Sequence, residues 1–425
     1  MPNPETIQQL VASEQYVFCV GRPDHKSLSV KHIHSLGYKA GIFADSQRSF
    51  GDQLNEYDVV IPVDFTSLES RIDGLASWRG RVRGLLCTYE NYIVSKAQLG
   101  AYFDVPTLSV QAAKAATDKL IMRTAFAAKA PAISPAFQHI DTENDAINFA
   151  NQYGYPVIIK PTNLVKSLLV TRCNTEQELR DTVKYTQQSL PDVYKKYGVF
   201  DHNPQIIIEE FITGPMYSIA GFVDKAGLLQ VCPGATSLVS AQMIQKDDNY
   251  LYSRTLPAAI DKAIYAELVY ATKEGVRAMG LTSTSIHAEL IIGRTGIKIV
   301  EIGARIGGYR PRMYNLSYGI DLIDLSIRNA LDIPLNINSN MPPQKTTSTY
   351  ELFADSEGSF ARISGPIDSI KKDSIYFSQK LQPGEPTGRA KDGHKAAAVI
   401  IQVADSASDD LRAAYPIKQI KIEVS

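Results

Sequence analysis

The pattern of apolar and polar positions divides the chain into two regions of different character. Up to about residue 106, short apolar runs alternate with stretches of helical periodicity, which predicts a small βαβ domain with a parallel sheet. From about residue 112, strand patterns mix with a few long helical patterns, and this mixture predicts an α+β region rather than a second doubly wound sheet. The buried strands predicted in the first region cover residues 16–20, 38–43, 57–63 and 84–87.

The second region begins with a predicted helix over residues 113–128. Another helix is predicted over 175–189, and the stretch at 191–204, which is rich in Tyr, Lys and turn formers, predicts an exposed loop. The turn-rich chain beyond about residue 335 is expected to complete this region. Other helices are predicted at 143–153, 258–279 and 321–331, and other strands at 136–139, 156–160, 205–208, 217–223 and 397–403.

The strongest indication of chemistry is a pair of strand patterns joined by the sequence Gly-Arg-Thr-Gly, which together predict a β-hairpin. With a three-residue loop, Glu289 pairs with Glu301, and their Cβ atoms lie about 5 Å apart on one face. His287 shares that face, and Arg305 lies at its rim. Two like charges at this spacing need a cation, and Mg²⁺ bridging to phosphate oxygens meets that need. The alternative is an exposed hairpin with solvated carboxylates.

Three lysines are candidates for balancing the charge of a triphosphate. Lys119 lies early in a predicted helix, Lys160 ends an apolar strand, and Lys166 lies in the loop that follows. Each could be a surface residue, but a lysine at the end of an otherwise buried strand needs a partner. In the first region, the first predicted strand ends in Gly21-Arg22-Pro23-Asp24, and Ser27 could cap the next helix. This arrangement makes a weakly supported anion site, with an ordinary turn as the alternative. Glu90 lies at the carboxyl edge of the predicted parallel sheet, where ligands of such folds bind.

Composition limits the function classes without naming one. The chain has 425 residues, 44% of them apolar, which predicts two or three domains. A formal net charge of −1 gives no reason to expect a nucleic acid or an acidic membrane as partner. No apolar stretch is long enough to span a bilayer and the first residues lack a signal-peptide pattern, so we expect a cytoplasmic protein. The four cysteines are far apart, fit no zinc or redox spacing and are expected to be small buried residues.

Several short motifs follow one another in a recognisable order. They are Asp118-Lys119 with Met122-Arg123, Val157-Ile158-Ile159-Lys160-Pro161, Ile208-Glu209-Glu210-Phe211-Ile212 with Gly214, and Glu289 with Glu301-Ile302-Gly303-Ala304-Arg305. This order resembles the ATP-grasp superfamily, and most of all its stand-alone L-amino acid ligases, which join amino acids into dipeptides. The stretch from Lys160 to Leu164 with Ser167, and the sequence His287-Ala288-Glu289, favour that branch. The resemblance covers about residues 1–425.

The resemblance implies an α/β and α+β multidomain protein with the ATP-grasp fold and an N-terminal Rossmann-like (pre-ATP-grasp) domain. That domain is expected at residues 1–111. The small ATP-grasp subdomain and its lid are expected at 112–204, with residues 161–171 as the lid. The large subdomain with a C-terminal extension is expected at 205–425, and a homodimer remains open.

The resemblance also implies a role for each matching residue, with ATP and Mg²⁺ as cofactors and Mn²⁺ as the alternative metal. Lys119 and Lys160 would hold the α- and β-phosphates, and Arg305 would steady the transferred phosphoryl group. The implied catalytic residues are Arg305 and Lys160, and the implied metal ligands are Glu289 and Glu301. The implied ATP-binding residues are Lys119, Lys160, Lys166, Ser167, Glu209, Glu210, Phe211, Ile212 and His287. The implied substrate-binding residues are Glu90, Arg305, Gly308, Tyr309 and Arg310.

The implied reaction joins a small-molecule carboxylate to an amine, with amino acids as the expected substrates and an acyl phosphate as intermediate. Three departures from the family pattern bear on it. The lid has Lys166 and Leu169 where relatives have glycines, Met216 stands where an acidic residue is common, and Gly303 replaces an Asn that often binds metal. The alternatives are therefore a catalytically silent ATP- or ligand-binding protein and a ligase for a carboxylate other than an amino acid. Carboxylation is a minor alternative, because the Gln-Val-Glu-His of biotin carboxylase is absent after the arginine.

Overall fold

A parallel sheet of four strands forms the front of the molecule, as the alternating pattern predicts. The computed structural model describes residues 14–24, 28–164, 168–197, 199, 204–405 and 419–425. The strands lie in the order β3-β2-β1-β4, and stacked rings of Phe18, Phe43 and Phe103 fill one face of the sheet. The elements are β1 (Tyr16–Gly21), α1 (Leu28–Ser35), β2 (Lys39–Asp45), β3 (Val59–Val63), α2 (Leu68–Arg71), β4 (Val82–Leu86) and α3 (Ile93–Phe103).

The single helix predicted over 113–128 is wrong, because two helices occupy this stretch. They are α4 (Val110–Thr117) and α5 (Lys119–Lys129). Asp118 between them has an extended backbone, and its carboxylate accepts hydrogen bonds from the N–H groups of Leu120 and Ile121. An aspartate in this position caps the second helix and separates it from the first.

A small antiparallel sheet follows, in the order β5-β8-β6-β7, with two helices on it. The second helix runs through Pro191 to Tyr197, so the predicted loop at 191–204 begins too early. Leu190 and Tyr194 are buried with Val183 and continue the apolar face, and this packing outweighs the hydrogen bond that the proline removes. The elements are β5 (Phe137–Ile140), α6 (Glu143–Tyr153), β6 (Val157–Pro161), β7 (Thr171–Cys173), α7 (Glu176–Tyr197) and β8 (Ile206–Glu210).

A nine-stranded sheet forms the largest layer. Its strand order is β14-β13-β9-β11-β12-β15-β19-β17, with β10 paired to β9, so C-terminal strands extend the same sheet that carries the hairpin. A separate three-stranded sheet has the order β18-β16-β20. The elements are β9 (Met216–Val223), β10 (Leu229–Val231), β11 (Thr236–Ser240), β12 (Leu251–Leu256), α8 (Lys262–Met279), β13 (Thr284–Gly293), β14 (Gly296–Gly303), α9 (Arg310–Tyr318), α10 (Leu322–Ala330), β15 (Thr346–Leu352), β16 (Gly358–Ser364), α11 (Ile367–Asp373), β17 (Tyr376–Gln379), β18 (Pro386–Thr387), β19 (Ala398–Ala404) and β20 (Lys421–Val424).

The helices follow the layers of the fold. The apolar face of α8 packs on β14 and on α5, and this contact is part of the largest apolar core. Helix α10 packs against α1 and β4, so it joins the large sheet to the front sheet. In the described part of the chain, no helix combines the length and the apolar character that crossing a membrane requires.

Candidate active site

The predicted hairpin is formed by β13 and β14. Gly293 pairs with Gly296, so the turn contains two residues and the predicted three-residue loop is wrong. Glu289 nevertheless faces Glu301, because Val300 is an extra residue in β14 with no partner in β13. This bulge shifts the register by one residue and compensates for the shorter turn.

The two paired glutamates have different surroundings. The Glu289 side chain is 15% exposed, and its Oε1 lies 3.2 Å from Nε2 of His287. Burial raises the pKa of Glu289, but the hydrogen bond from His287 and the nearby charges of Arg310 and Arg254 together outweigh burial and lower the pKa below its usual value. Burial also lowers the pKa of His287 and so favours the neutral ring. The Glu301 side chain is 36% exposed, and its Oε2 lies 3.8 Å from Nζ of Lys119.

The paired carboxylates fit a hard divalent cation. They offer oxygen ligands from facing positions of two strands, and Mg²⁺ commonly binds through one or two carboxylates with substrate phosphates and water in its other positions. Among the described residues, no group of three or more His, Cys, Asp and Glu side chains is placed to hold a metal. Any metal ion here therefore depends on a substrate for most of its ligands.

A buried ion network lies on the small sheet. Lys160 Nζ donates to Glu209 Oε2 over 2.7 Å, and Arg123 Nε donates to Glu209 Oε1 over 2.8 Å. All three residues are at least 95% buried. Burial raises the pKa of Glu209, but Arg123 and Lys160 outweigh it and hold that pKa at about 2. Burial lowers the pKa of Lys160 to about 8, although Glu209 opposes this shift.

Arg123 connects this network to the hairpin. Its Nη2 donates to the carbonyl oxygen of Val300 over 2.8 Å. That residue is the bulge of β14, so a single guanidinium contacts both the partner of Lys160 and the strand that carries Glu301. The predicted place of Glu209 in the adenine pocket stays a prediction, and its carboxylate is committed to the two cations.

Lys119 approaches one of the hairpin carboxylates, Glu301, from α5. Its Nζ donates to the carbonyl oxygen of Leu164 over 2.9 Å, in addition to the 3.8 Å approach to Glu301. The N–H of Lys119 donates to the carbonyl oxygen of Thr162. The first turn of α5 is thereby fixed to the end of β6, where Lys160 lies.

The predicted lid is described only in part. Lys166 and Ser167, both predicted to bind ATP, lie outside the described residues. Leu169, which stands where relatives have glycine, has a φ of 56°, in the left-handed region that favours glycine. Asn249 donates a side-chain hydrogen bond to the carbonyl oxygen of Val170 and so ties the end of this loop to the start of β12.

The predicted adenine segment crosses from the small sheet to the large one. The side chain of Glu210 accepts a hydrogen bond from the N–H of Ala136 over 2.9 Å. The ring of Phe211 lies under the guanidinium of Arg172, 4.4 Å from its carbon to the ring centroid. Phe211 and Ile212 are half-buried and connect β8 to β9. Their side chains and backbone groups are therefore available beside the hairpin.

Glu90 reaches the hairpin from the front sheet. Arg305 Nε donates to Glu90 Oε2 over 2.6 Å, and Arg305 Nη1 donates to the carbonyl oxygen of Ile306. Burial raises the pKa of Glu90, an effect that Arg305 opposes. A Cβ placed on Gly303 would lie 3.4 Å from Glu90 Oε2. The space beside the missing Asn is thus occupied by the carboxylate of Glu90.

Three of the predicted substrate residues, Gly308, Tyr309 and Arg310, lie at the start of α9. Tyr309 donates its hydroxyl hydrogen to Glu351 Oε1 over 3.0 Å, and Arg254 pairs with the other oxygen of the same carboxylate at 2.8 Å. Arg310 is 1% exposed and donates to Ser218 Oγ over 2.9 Å. Burial, with the nearby Arg254, lowers the pKa of Arg310 to about 10. Arg310 is therefore buried, not solvated.

Two glycines next to these residues differ in what they allow. A Cβ on Gly307 would lie 2.6 Å from Nδ1 of His287, so only glycine fits this close approach. A Cβ on Gly308, a predicted substrate residue, would meet no atom within 4 Å. Gly308 therefore borders open space next to Tyr309.

Sequence reasoning gave no role to several charged residues in the site. Arg254 and Glu351 come from β12 and β15, strands that carry no motif and were not predicted, and no local pattern could have indicated them. In the sequence, Arg123 was part of a motif without a role of its own. Its position beside Met122 and Phe126, which form the apolar face of α5, could have indicated a buried arginine that needs a partner. Buried arginines on apolar faces need partners.

The structure thus gathers most of the predicted residues around the hairpin. Arg305 interacts electrostatically with Glu90, Glu301 and Glu289, and Arg310 interacts with Glu289. Cations and carboxylates alternate through the site. Such an arrangement can hold a phosphorylated ligand, orient a carboxylate and stabilise charge that moves between them.

Comparison with known proteins identifies the domain that carries this site. Residues 153–311 match the model of the ATP-grasp domain. The chain superposes on the crystal structure of an L-amino acid ligase from Bacillus licheniformis with a TM-score of 0.77 and 18% identity, over 97% of this chain and 99% of that one. The chain therefore has the ATP-grasp fold, and the predicted fold class and resemblance are confirmed.

Curated relatives are also ligases by name. The alanine–anticapsin ligase of Bacillus subtilis is 26% identical over 225 residues, which are 51% of this chain and 47% of that protein. The phosphoribosylamine–glycine ligase of Vibrio parahaemolyticus is 24% identical over 220 residues, 49% of each chain. The matched segments thus span about half the length of these relatives.

Proposed function

We propose that this protein is an ATP-dependent carboxylate–amine ligase that forms an amide bond between L-amino acids through an acyl phosphate and releases ADP and phosphate. The observation that carries the proposal is the facing pair Glu289 and Glu301 with Lys119 and Arg305 at its edges. The fold and the ligase names of the relatives support the same reaction class.

The nucleotide is assigned to the groove between the small and large sheets. Lys160 and Lys119 bind its phosphates, with Lys160 held in place by Glu209. The segment with Glu210, Phe211 and Ile212 binds the adenine. Glu289 and Glu301 would hold Mg²⁺, which when bound offsets phosphate charge and polarises the phosphoryl group.

The acid and amine are assigned to the opposite side of the hairpin. A carboxylate is a poor electrophile, so one carboxylate oxygen attacks the γ-phosphorus and the bond to ADP breaks. The amine nitrogen then attacks the acyl carbon, the bond to phosphate breaks, and the amine proton leaves to solvent. Arg305 stabilises the phosphoryl oxygens through these steps. Arg310 and Tyr309 bound the substrate space, and Glu90 orients Arg305.

The test is ADP release from ATP and Mg²⁺ with single and paired amino acids, with mass detection of products. We expect release only with particular amino acids, together with a dipeptide mass. E301Q and R305M should reduce turnover at least about 100-fold while ATP affinity changes far less. Equal losses of turnover and of affinity would contradict the roles assigned to these residues.

Two other results would each select an alternative. ATP binding without ADP release for any mixture would favour a silent binding protein. The ion pairs of Lys160 with Glu209 and of Arg305 with Glu90 also suit this alternative. ADP release only with a carboxylate that is not an amino acid would keep the ligase chemistry and change the substrate.

A further inference from the structure

A cavity lies next to the candidate active site, between the front sheet and the large sheet, and its wall combines apolar side chains with a few charged and hydroxyl-bearing ones. Its volume is about 40 Å³. This is room for about three waters or one small oxyanion group. Cys87 and Thr88 of its wall lead to Glu90, and Ile306 of its wall follows Arg305, so the cavity adjoins the site.

Lys96 is the residue that gives this cavity its chemistry. It lies in the first turn of α3, is 6% exposed and lines the cavity. No described residue accepts a hydrogen bond from its ammonium group or forms an ion pair with it, and burial lowers the pKa of Lys96, an effect that only the thiol of Cys87 is seen to oppose among the described residues. A buried ammonium without a partner is costly unless a ligand supplies the anion.

Arg22 adds a second cation to the same wall. Its guanidinium stacks on the ring of Tyr89 at 4.6 Å, and its buried Nε has no acceptor in the described part of the chain. The one carboxylate in the wall, Asp24, is already used, because it accepts hydrogen bonds from the N–H and the hydroxyl of Ser29. The cavity therefore carries an excess of positive charge with unused donors.

The topology places the cavity where ligands of parallel sheets bind. In the order β3-β2-β1-β4 the connections run to opposite sides of β1, so the switch point lies between the carboxyl ends of β1 and β4. Arg22 follows β1, and Thr88 follows β4. Helix α10 and the start of β13 close the other side and add Ser283, Ser285 and Ser326 to the wall. The hydroxyl of Ser326 already donates to the carbonyl oxygen of Leu322.

We propose that this cavity binds an oxyanionic side-chain group, a carboxylate or a phosphate monoester, of one of the two ligation substrates. The inference rests on the proposed ligase function in naming the ligand a substrate, whereas binding itself can be tested without turnover. Lys96 and Arg22 neutralise the anion, and the hydroxyl groups of Ser283 and Ser285 orient it. One substrate is accordingly an amino acid or similar small molecule with an additional acidic group.

Calorimetric titration of the full chain tests the proposal with matched pairs of probes, L-aspartate with L-asparagine and O-phospho-L-serine with L-serine. ADP and Mg²⁺ are present at saturation in one series, to fill the nucleotide site, and absent in another. We expect the acidic member of one pair to bind at least about tenfold more tightly than its neutral partner. K96M should abolish that preference, and R22M should reduce it.

K114M is the matched control, because Lys114 is an exposed lysine outside the cavity, and it should retain the preference. Aspartate selected over asparagine identifies a carboxylate ligand, and phosphoserine over serine a phosphate monoester. Equal affinities within both pairs, or a preference that K96M leaves intact, would overturn the proposal. If K96M fails to fold, R22M, which changes a half-buried residue, provides the same test.

Failure of this inference can be told apart from failure of the proposed function. Loss of the acidic preference in K96M, with no ADP release for any mixture, would support the anion site and reject the ligase. Dipeptide formation from neutral amino acids, with the same KM in K96M as in the unaltered protein, would support the ligase and reject the anion site.

Discussion

Two lysines with nearly equal burial show what a partner does for a charge inside a protein. Lys160 is 5% exposed and Lys96 is 6% exposed. Lys160 donates to Glu209 over 2.7 Å, whereas Lys96 has no carboxylate partner among the described residues. Burial lowers the pKa of both ammonium groups. The two lysines differ in their countercharge. The carboxylate of Glu209 neutralises and fixes Lys160, whereas the charge of Lys96 is left for a ligand to neutralise.

The paired lysine is itself part of an unequal network. Two cations, Lys160 and Arg123, share the single carboxylate of Glu209. The network therefore has one uncompensated positive charge, and in the proposed function this charge faces the nucleotide phosphates. Both buried lysines thus suit anionic ligands, but only Lys160 is held in one position before the ligand arrives.

The strongest test of this comparison removes the shared partner. E209Q leaves Lys160 and Arg123 buried together without a countercharge, and we expect it to lower the free energy of unfolding by about 3–5 kcal/mol. Urea denaturation measures the change. E210Q is the control, because Glu210 is half-buried and an amide oxygen can still accept from Ala136. A loss below about 1 kcal/mol in E209Q would show that the network is not held by this carboxylate.

The next test changes the paired lysine and leaves its partner in place. Under the proposed function, K160M should lower turnover about 10²- to 10³-fold, since the proposal places this cation at the phosphates. Its stability should fall less than that of E209Q, because Glu209 keeps Arg123. ADP release and urea denaturation give the two numbers. Unchanged turnover with lowered stability would make Lys160 a structural residue.

The pH dependence of stability tests the charge of the shared carboxylate. The pKa of Glu209 is about 2 in the folded chain, below its ordinary value of 4.5. Its contribution to stability is therefore full above pH 4.5 and is lost as the pH falls toward 2, with about 2 kcal/mol gone by pH 3. The difference in unfolding free energy between the unaltered protein and E209Q should shrink by this amount between pH 5 and pH 3. If the difference in unfolding free energy between the two proteins stayed constant between pH 5 and pH 3, the pKa of Glu209 in the folded chain would not be about 2.

The smallest expected effect has the opposite sign. K96M replaces an unpartnered buried ammonium with an apolar group of similar length, and in anion-free buffer it should raise the free energy of unfolding by about 1 kcal/mol. K114M, at an exposed position, should change stability by no more than about 0.5 kcal/mol. Thermal denaturation at low ionic strength is the measurement. Destabilisation by K96M would mean that the ammonium has a partner within the protein.

Most of the fold was predictable because runs of apolar residues and helical periodicity mark its strands and helices within short stretches of sequence. The four strands of the front sheet follow from apolar runs of strand length. The break at Asp118 was missed because periodicity continues across it, and a cap is visible only in the backbone. The end of α7 was placed too early because Pro191 is a helix breaker by rule, while tertiary packing of Tyr194 keeps the helix intact.

The site was predictable only where its geometry is carried by one hairpin. The pairing of Glu289 with Glu301 depended on a three-residue loop, and the structure reaches it through a two-residue turn and a bulge at Val300. Contacts between distant segments left no pattern: Arg123 and Glu209 are 86 residues apart, and Tyr309 and Glu351 are 42 apart. The environment of Lys96 was equally invisible, since α10 and β13 close its cavity.

The contact between Glu90 and Arg305 also has a consequence for biosynthesis. A ribosome that has added Glu90 must add 215 further residues before the guanidinium partner of that carboxylate exists. The front sheet, whose strands are close in sequence, is expected to form early, and closure of so long a loop is slow. A nascent chain therefore lacks the contact between Glu90 and Arg305 until the hairpin docks on the front sheet, so a truncated or stalled product has no complete site.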